Sequence, residues 1–153
     1  MTINHMVLQD NETLTFVFVD QTSGNHSVIC TAGLLKDKQV YKIKSALDIE
    51  DHVYKLAVTS HNKIWQYALQ LPDGSLLRYD PLNEEVSPWA DNSGQEINFP
   101  LPCSQMAVCS IGGQKAVLGL TDRYRFYVNN TEVATNCTSF AIHDEFLLLT
   151  TLS

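Results

Sequence analysis

Positive charge is scarce in this chain: 10 Lys and Arg residues stand against 17 Asp and Glu in 153 residues, a formal net charge of −7. No basic run or stripe appears. A phosphate backbone is bound by clustered Lys and Arg that displace its counterions, so direct nucleic-acid binding is disfavoured. Long apolar stretches are missing too. The longest, such as Phe146 to Leu149, are far too short to cross a bilayer, and the N-terminus has no basic segment leading into an apolar run. These absences predict a soluble chain that is not secreted. Cysteine is sparse: Cys30, Cys103, Cys109 and Cys137 are widely spread, with no CxxC pair and no histidine at zinc-site spacing. That pattern argues against a disulfide framework or a structural zinc and predicts reduced thiols. Four N-x-S/T triplets, at Asn11, Asn25, Asn129 and Asn136, would mark a glycoprotein only behind a signal sequence; in a chain rich in Asn, Ser and Thr they are expected by chance.

What is present is hydrophobic content of 44%, enough for a real core, arranged with period two rather than helical spacing. Thr13 to Val19 places Leu14, Phe16 and Phe18 on one face of a strand. Short β-rich runs follow at Ser27 to Leu35, Val40 to Ile43, Tyr54 to Val58, Ile64 to Leu71 and Leu76 to Tyr79. After the loop carrying Pro100 and Pro102 they resume at Met106 to Cys109, Ala116 to Leu120, Arg125 to Val128, Glu132 to Ala134, Ser139 to Ile142 and Phe146 to Thr150. Pro72-Asp73-Gly74, Gly112-Gly113 and Asn129-Asn130 supply turn residues that tolerate left-handed backbone geometry. One helical turn is allowed for, over Ala46 to Leu56.

Internal repetition narrows the architecture. Leu56-Ala57-Val58, Met106-Ala107-Val108 and Phe140-Ala141-Ile142 share an apolar-Ala-β-branched pattern, each followed by a polar turn and another apolar strand. Their spacing fits the ~40–50 residues of a four-stranded propeller blade, the second interval being compact. The fold class expected is therefore all-β, a partial WD-type β-propeller with about three blades of antiparallel strands. Blades are placed at about 5–45, 53–90 and 104–136, with an incomplete one at 138–153. The small alanine suits an innermost strand. No Trp-Asp or Gly-His dipeptide marks the blades.

The stretch Met106-Ala-Val-Cys-Ser-Ile-Gly112, then Val117-Leu-Gly-Leu-Thr-Asp-Arg123, Thr131-Glu-Val-Ala134, Thr138-Ser-Phe-Ala141 and Asp144-Glu-Phe-Leu-Leu-Leu-Thr-Thr151 closely resembles the family of Elongator's largest, scaffold subunit. The match is dense from about Cys103 to Thr151, looser before it, and has a vertebrate character. Members are far longer chains, so the resemblance implies part of a second propeller whose ends are not domain ends, with Leu152-Ser153 departing from the family pattern as a truncated or spliced product would. It also implies a non-catalytic role in a complex that installs carboxymethyl-type groups on the wobble uridine of transfer RNA. The partners implied are other Elongator subunits, in the cytoplasm and also the nucleus, without the helical dimerisation region of the family.

Catalytic, cofactor-binding and metal residues are assigned to none. His143-Asp144-Glu145 sets acid, base and ligand groups side by side, but strand neighbours point to opposite faces, and Asp144-Glu145 reads as a turn. His52 and His61 lack the helical two-histidine zinc spacing. Gly112-Gly-Gln-Lys115 lacks the full phosphate-loop pattern, and no G-x-S-x-G occurs. Trp65, Trp89, Tyr67, Tyr79, Tyr124 and Tyr127 are expected in packing between blades rather than on a binding surface. The acidic groups at Asp48, Glu50, Asp51 and at Glu84, Glu85 are read as solvated loops, with a docking surface for a basic partner as the sharper reading. Two function classes remain: a scaffold propeller, or a free-standing propeller-like ligand-binding or hydrolase domain. Incomplete ring closure predicts an association-prone chain.

Overall fold

In the computed structural model, residues 2–19, 26–61, 64–143 and 146–152 are described. They form strands and turns, with no helix among them. The first sheet is an antiparallel meander of β1 (Thr2–Leu8), β2 (Thr13–Val19), β3 (Ser27–Leu35) and β4 (Val40–Ile49). The second has the same order in β5 (Lys55–His61), β6 (Ile64–Gln70), β7 (Leu76–Asp80) and β8 (Glu85–Pro88), and the third repeats it in β9 (Cys103–Ile111), β10 (Gln114–Thr121), β11 (Phe126–Val128) and β12 (Thr131–Ala134). A two-stranded sheet follows, β13 (Cys137–His143) with β14 (Phe146–Thr151). Three four-stranded meanders and a half-meander, each stacked on the next, are the architecture of an open, partial β-propeller.

The turns form where the side chains or glycines permit. Gly112 and Gly113, at φ 59° and 79°, join Ile111 to its direct partner Gln114, the two-residue hairpin that needs left-handed geometry at both positions. Asn129 adopts φ 51° between β11 and β12, and its side-chain oxygen accepts the Val117 N–H at 2.9 Å. Asp73 accepts both the N–H (3.0 Å) and the hydroxyl (2.6 Å) of Ser75, fixing the turn at Gly74. At Gly74, φ is +94° and any Cβ would collide with the Phe99 carbonyl, so only glycine fits.

Both faces of the inner sheets are apolar because each is sandwiched between neighbours. Val17, Val19, Ile29, Leu56, Tyr67, Leu69 and Tyr79 fill the space between the first and second sheets. Ala57, Ala68, Leu76, Trp89, Phe99, Met106, Val108, Val117 and Tyr127 fill the space between the second and third. Leu118, Leu120 and Phe126 meet Cys137 and Phe140 of the last. Leu14, Phe16 and Phe18 do share a face of β2, but it is the face turned away from the second sheet, a small cluster with Cys30 and Ala32. The main core takes the opposite face, through Val17 and Val19.

The helical turn allowed for at Ala46 to Leu56 is not formed. Ala46 to Ile49 continue β4, paired with Cys30 to Ser27, and Lys55 and Leu56 already belong to β5. Ile49, Val53 and Leu56 are spaced as on a helix and all are buried in the core between the first two sheets. They reach it from a strand end, a linking segment and the next strand. Pairing with β3 supplies the backbone hydrogen bonds that a helix would otherwise provide, so sheet extension wins.

Candidate interaction surface

The three repeated triplets lie in the first strands β5, β9 and β13, the end strands of their sheets. Leu56, Met106 and Phe140 pack backwards on the preceding sheet, while Ala57 faces forward into the next core. A small forward side chain lets the following first strand approach closely. Its unpaired edge then needs hydrogen-bond partners, and the preceding sheet supplies them. Lys55 Nζ donates to the Ser104 carbonyl at 3.0 Å and Thr59 Oγ1 accepts the Val108 N–H at 3.1 Å, both from β5 to β9. Gln105 of β9 holds Phe140 of β13 at both its carbonyl (2.7 Å) and its N–H (3.2 Å).

Gln70, fully buried at the end of β6, does the same one layer out. Its oxygen accepts the Cys103 N–H at 2.7 Å and its nitrogen donates to the Leu101 carbonyl at 2.9 Å. Asn130 ties the third sheet to the loop between sheets, accepting the Asn98 N–H at 2.9 Å and donating to the Glu96 carbonyl at 2.8 Å. Between the first two sheets, Tyr67 donates its hydroxyl to Gln9 at 3.1 Å, and Ser27 Oγ accepts the Val53 N–H at 3.0 Å. These amide and hydroxyl clamps are missing from the sequence reading. A Gln inside the apolar run Ile64 to Leu71 was the signal available for one of them.

The titratable groups are structural in their surroundings. Burial pushes the Cys103 thiol up to about 12, against a lowering by the Gln70 hydrogen bond. Burial also raises Cys109 and Tyr67, and it holds His5 below the ordinary imidazole value, with the nearby Lys55 charge adding to the effect. All four cysteines are free thiols, and no group of three or more metal-capable side chains gathers among the described residues.

Of the residues weighed from sequence, Trp89, Tyr67, Tyr79 and Tyr127 are buried between sheets, and the Trp89 indole donates to the Tyr67 carbonyl at 3.0 Å. Tyr124 departs from that expectation. It is half exposed, at φ 63° in the turn before β11. His52 lies in the segment between β4 and β5, remote in sequence from His143 and on no shared strand with it. The side chains of His61 and His143 lie outside the described residues, as do Asp144 and Glu145. Gly112 to Lys115 form the β9–β10 hairpin. Asp48, Glu50 and Asp51 sit at and beyond the end of β4, where His26 approaches Asp48 at 3.3 Å; Glu84 and Glu85 flank the β7–β8 turn.

Two surfaces stand out. The outward apolar side chains of the end sheets are exposed: Ile3, Met6 and Leu8 on β1, Phe146 and Leu148 on β14. The β3–β4 hairpin, in turn, corrects the reading that no basic cluster exists. Lys36, Lys38, Lys42 and Lys44 fall within nine residues, disguised in the sequence by the apolar and polar residues between them. Pairing of Leu35 with Val40 and Gly33 with Lys42 gathers them on one exposed hairpin.

The chain matches the family described as the ELP1 N-terminal second beta-propeller over residues 2–153. Elongator complex protein 1 of Oryctolagus cuniculus is 46% identical over 113 residues, covering 72% of this chain and 8% of the relative. Elongator complex protein 1 of Mus musculus is 40% identical over 131 residues, covering 84% of this chain and 10% of the relative. The chain thus spans about a tenth of the length of these relatives. Stacked four-stranded meanders with clamped first strands, and a family match along nearly the whole sequence, place the chain in the Elongator complex protein 1 family, in its second β-propeller.

Proposed function

We propose that this chain is a non-catalytic scaffold segment of the Elongator complex, which modifies the wobble uridine of transfer RNA with carboxymethyl-type groups. The observation that carries this reading is the family match over residues 2–153. It is supported by the placement of the polar side chains, since Gln70, Gln105, Asn130 and Thr59 are used to lock sheet to sheet. Other subunits of the complex dock on the rigid stack so formed, and the chemistry belongs to them. The chain works in the cytoplasm and also in the nucleus.

With a net charge of −7, it binds transfer RNA weakly at physiological salt. Affinity capture of the tagged 153-residue chain from cells, followed by mass spectrometry, is expected to recover other Elongator subunits. Recovery of none, from a chain whose circular dichroism retains the strand content, overturns the proposal. Tight, salt-sensitive transfer-RNA binding by the isolated chain overturns its nucleic-acid part.

A further inference from the structure

Among the described residues, the three outer strands of the complete sheets, β4, β8 and β12, each pair with a neighbouring strand on one side only. Such an edge is a template for another strand, and proteins blunt it by shortness, proline, bulges or charge. Two of the three are blunted in this way. β8 has four residues and ends in Pro88. β12 also has four, and its register skips Val133, since Tyr127 pairs with Glu132 and Phe126 with Ala134. Both carry a glutamate, Glu85 and Glu132.

The outer strand of the first sheet is much longer and has no proline; its own register skips Lys44, since Thr31 pairs with Ser45 and Ala32 with Ile43, which leaves Val40 to Ile43 as its regular exposed stretch. β4 has ten residues, and its first five are exposed, whereas Leu47 and Ile49 further along turn into the core. Val40, Tyr41 and Ile43 are exposed beside Lys42 and Lys44, and Lys38 stands in the adjoining turn. Lys36 is paired with Glu12 at 2.5 Å, but Lys38, Lys42 and Lys44 have no ion pair among the described residues. Four of the ten basic residues of a chain with net charge −7 are concentrated on this hairpin.

Lysines on an edge repel a second copy of the same edge, which is a specificity device against self-pairing. A purely solubilising guard would be polar throughout, however, and this strand presents three large apolar side chains, Val40, Tyr41 and Ile43, beside its two lysines. The combination fits one kind of occupant. We infer that the outer edge of β4 receives an acidic, extended peptide segment of a partner protein by strand addition, its carboxylates meeting Lys42 and Lys44 and its apolar residues meeting Tyr41 and Ile43. Backbone pairing supplies the affinity, and the alternating side chains supply the selection. A nucleic acid fits less well, because two lysines on the strand and one in its turn neutralise few phosphates, and a phosphate backbone leaves the strand's N–H and C=O groups unpaired.

The test titrates the 153-residue chain with a fluorescent peptide that alternates glutamate and valine, by anisotropy at low ionic strength. Three controls accompany it: the same peptide with proline in place of valine, which keeps the charge but cannot pair as a strand; a lysine–valine peptide; and a single-stranded oligonucleotide. Binding of the glutamate–valine peptide alone is expected, weakened by salt. The double variant Lys42→Glu/Lys44→Glu should lose about tenfold in affinity or more, Lys42→Gln/Lys44→Gln should lose less, and Lys115→Glu on the β9–β10 hairpin should be without effect. Circular dichroism checks that each variant keeps its strands. Absence of binding, equal binding of the proline peptide, unchanged affinity in both double variants, or tighter binding of the oligonucleotide each overturns the inference.

Discussion

Strands β10 and β14 look alike in sequence and have opposite fates. Ala116-Val-Leu-Gly-Leu-Thr121 is buried at every position, whereas Phe146-Leu-Leu-Leu-Thr-Thr151 has five exposed positions and none fully buried. β10 lies between β9 and β11 in its sheet, with the second sheet on one face and β13 against the other. Among the described residues β14 pairs with β13 alone, and Phe146 and Leu148 on its far face are exposed. Hydrophobicity therefore marks what a strand can bury, and neighbours on both faces decide what it does bury. The same contrast holds for the clamps. The junction of the second and third sheets has Gln70, Thr59, Lys55 and Asn130, and the junction of the third and last has Gln105 at its first strands.

Truncations should expose this difference most strongly. Phe99→Ala, at the centre of the closed junction and packed on Tyr127 with ring centres 5.9 Å apart, is expected to cost about 3–5 kcal/mol. Leu118→Ala on β10 should cost about 2–5 kcal/mol, while Leu148→Ala on β14 should stay within about 0.5 kcal/mol. Urea unfolding followed by fluorescence measures all three. Equal losses for Leu118 and Leu148 would mean that the last sheet is covered in solution.

The clamps come next in size. Gln70→Ala removes the side-chain partner of the buried Cys103 N–H and of the part-buried Leu101 carbonyl, a loss of about 1–3 kcal/mol. Gln105→Ala releases Phe140 at a part-buried site that water can reach, so its cost should fall toward the lower end of that range, about 1 kcal/mol. The same unfolding measurement orders the two, and a larger loss at Gln105 would reverse the ranking of the junctions.

Thiol chemistry reads the comparison without mutation. Cys103 lies in the closed junction with its thiol pushed up to about 12, so at mildly alkaline pH it should resist a disulfide reagent until the chain unfolds. Cys109, partly exposed on β9, should react first. Mass spectrometry of timed samples identifies the order, and early labelling of Cys103 would show that the junction opens readily.

The smallest effect concerns His5 on β1. Burial and the Lys55 charge lower its folded-state value, so the native state binds fewer protons there than the unfolded chain does. Its contribution is complete above the unfolded value of about 6.5 and declines as pH falls through the window between that value and the lowered one. His5→Gln should flatten the dependence of the melting temperature on pH across that window. An unchanged slope would assign it to other groups.

Strands and turns were legible because their causes are local. Period-two alternation, Gly112-Gly113 and Asn129-Asn130 act within a few residues, and the repeated apolar-Ala-β-branched triplets mark three first strands. What stayed hidden depends on residues distant in sequence. The spacing of Ile49, Val53 and Leu56 suits a helix as well as the strand-and-link path that pairing with β3 imposes. The lysines from Lys36 to Lys44 form a basic surface only when the hairpin folds back on itself.

The sequence by itself determined an all-β chain, its turns, its blade-sized repeat and its family. Tertiary structure decided which face of each strand is core, because alternation defines two faces without saying which neighbour covers either. Leu14, Phe16 and Phe18 form an outlying cluster while Val17 and Val19 meet the second sheet. It also decided that Gln70 and Gln105 are clamps, since the edge groups they satisfy come from strands more than thirty residues away and become unpaired only when the sheets stack.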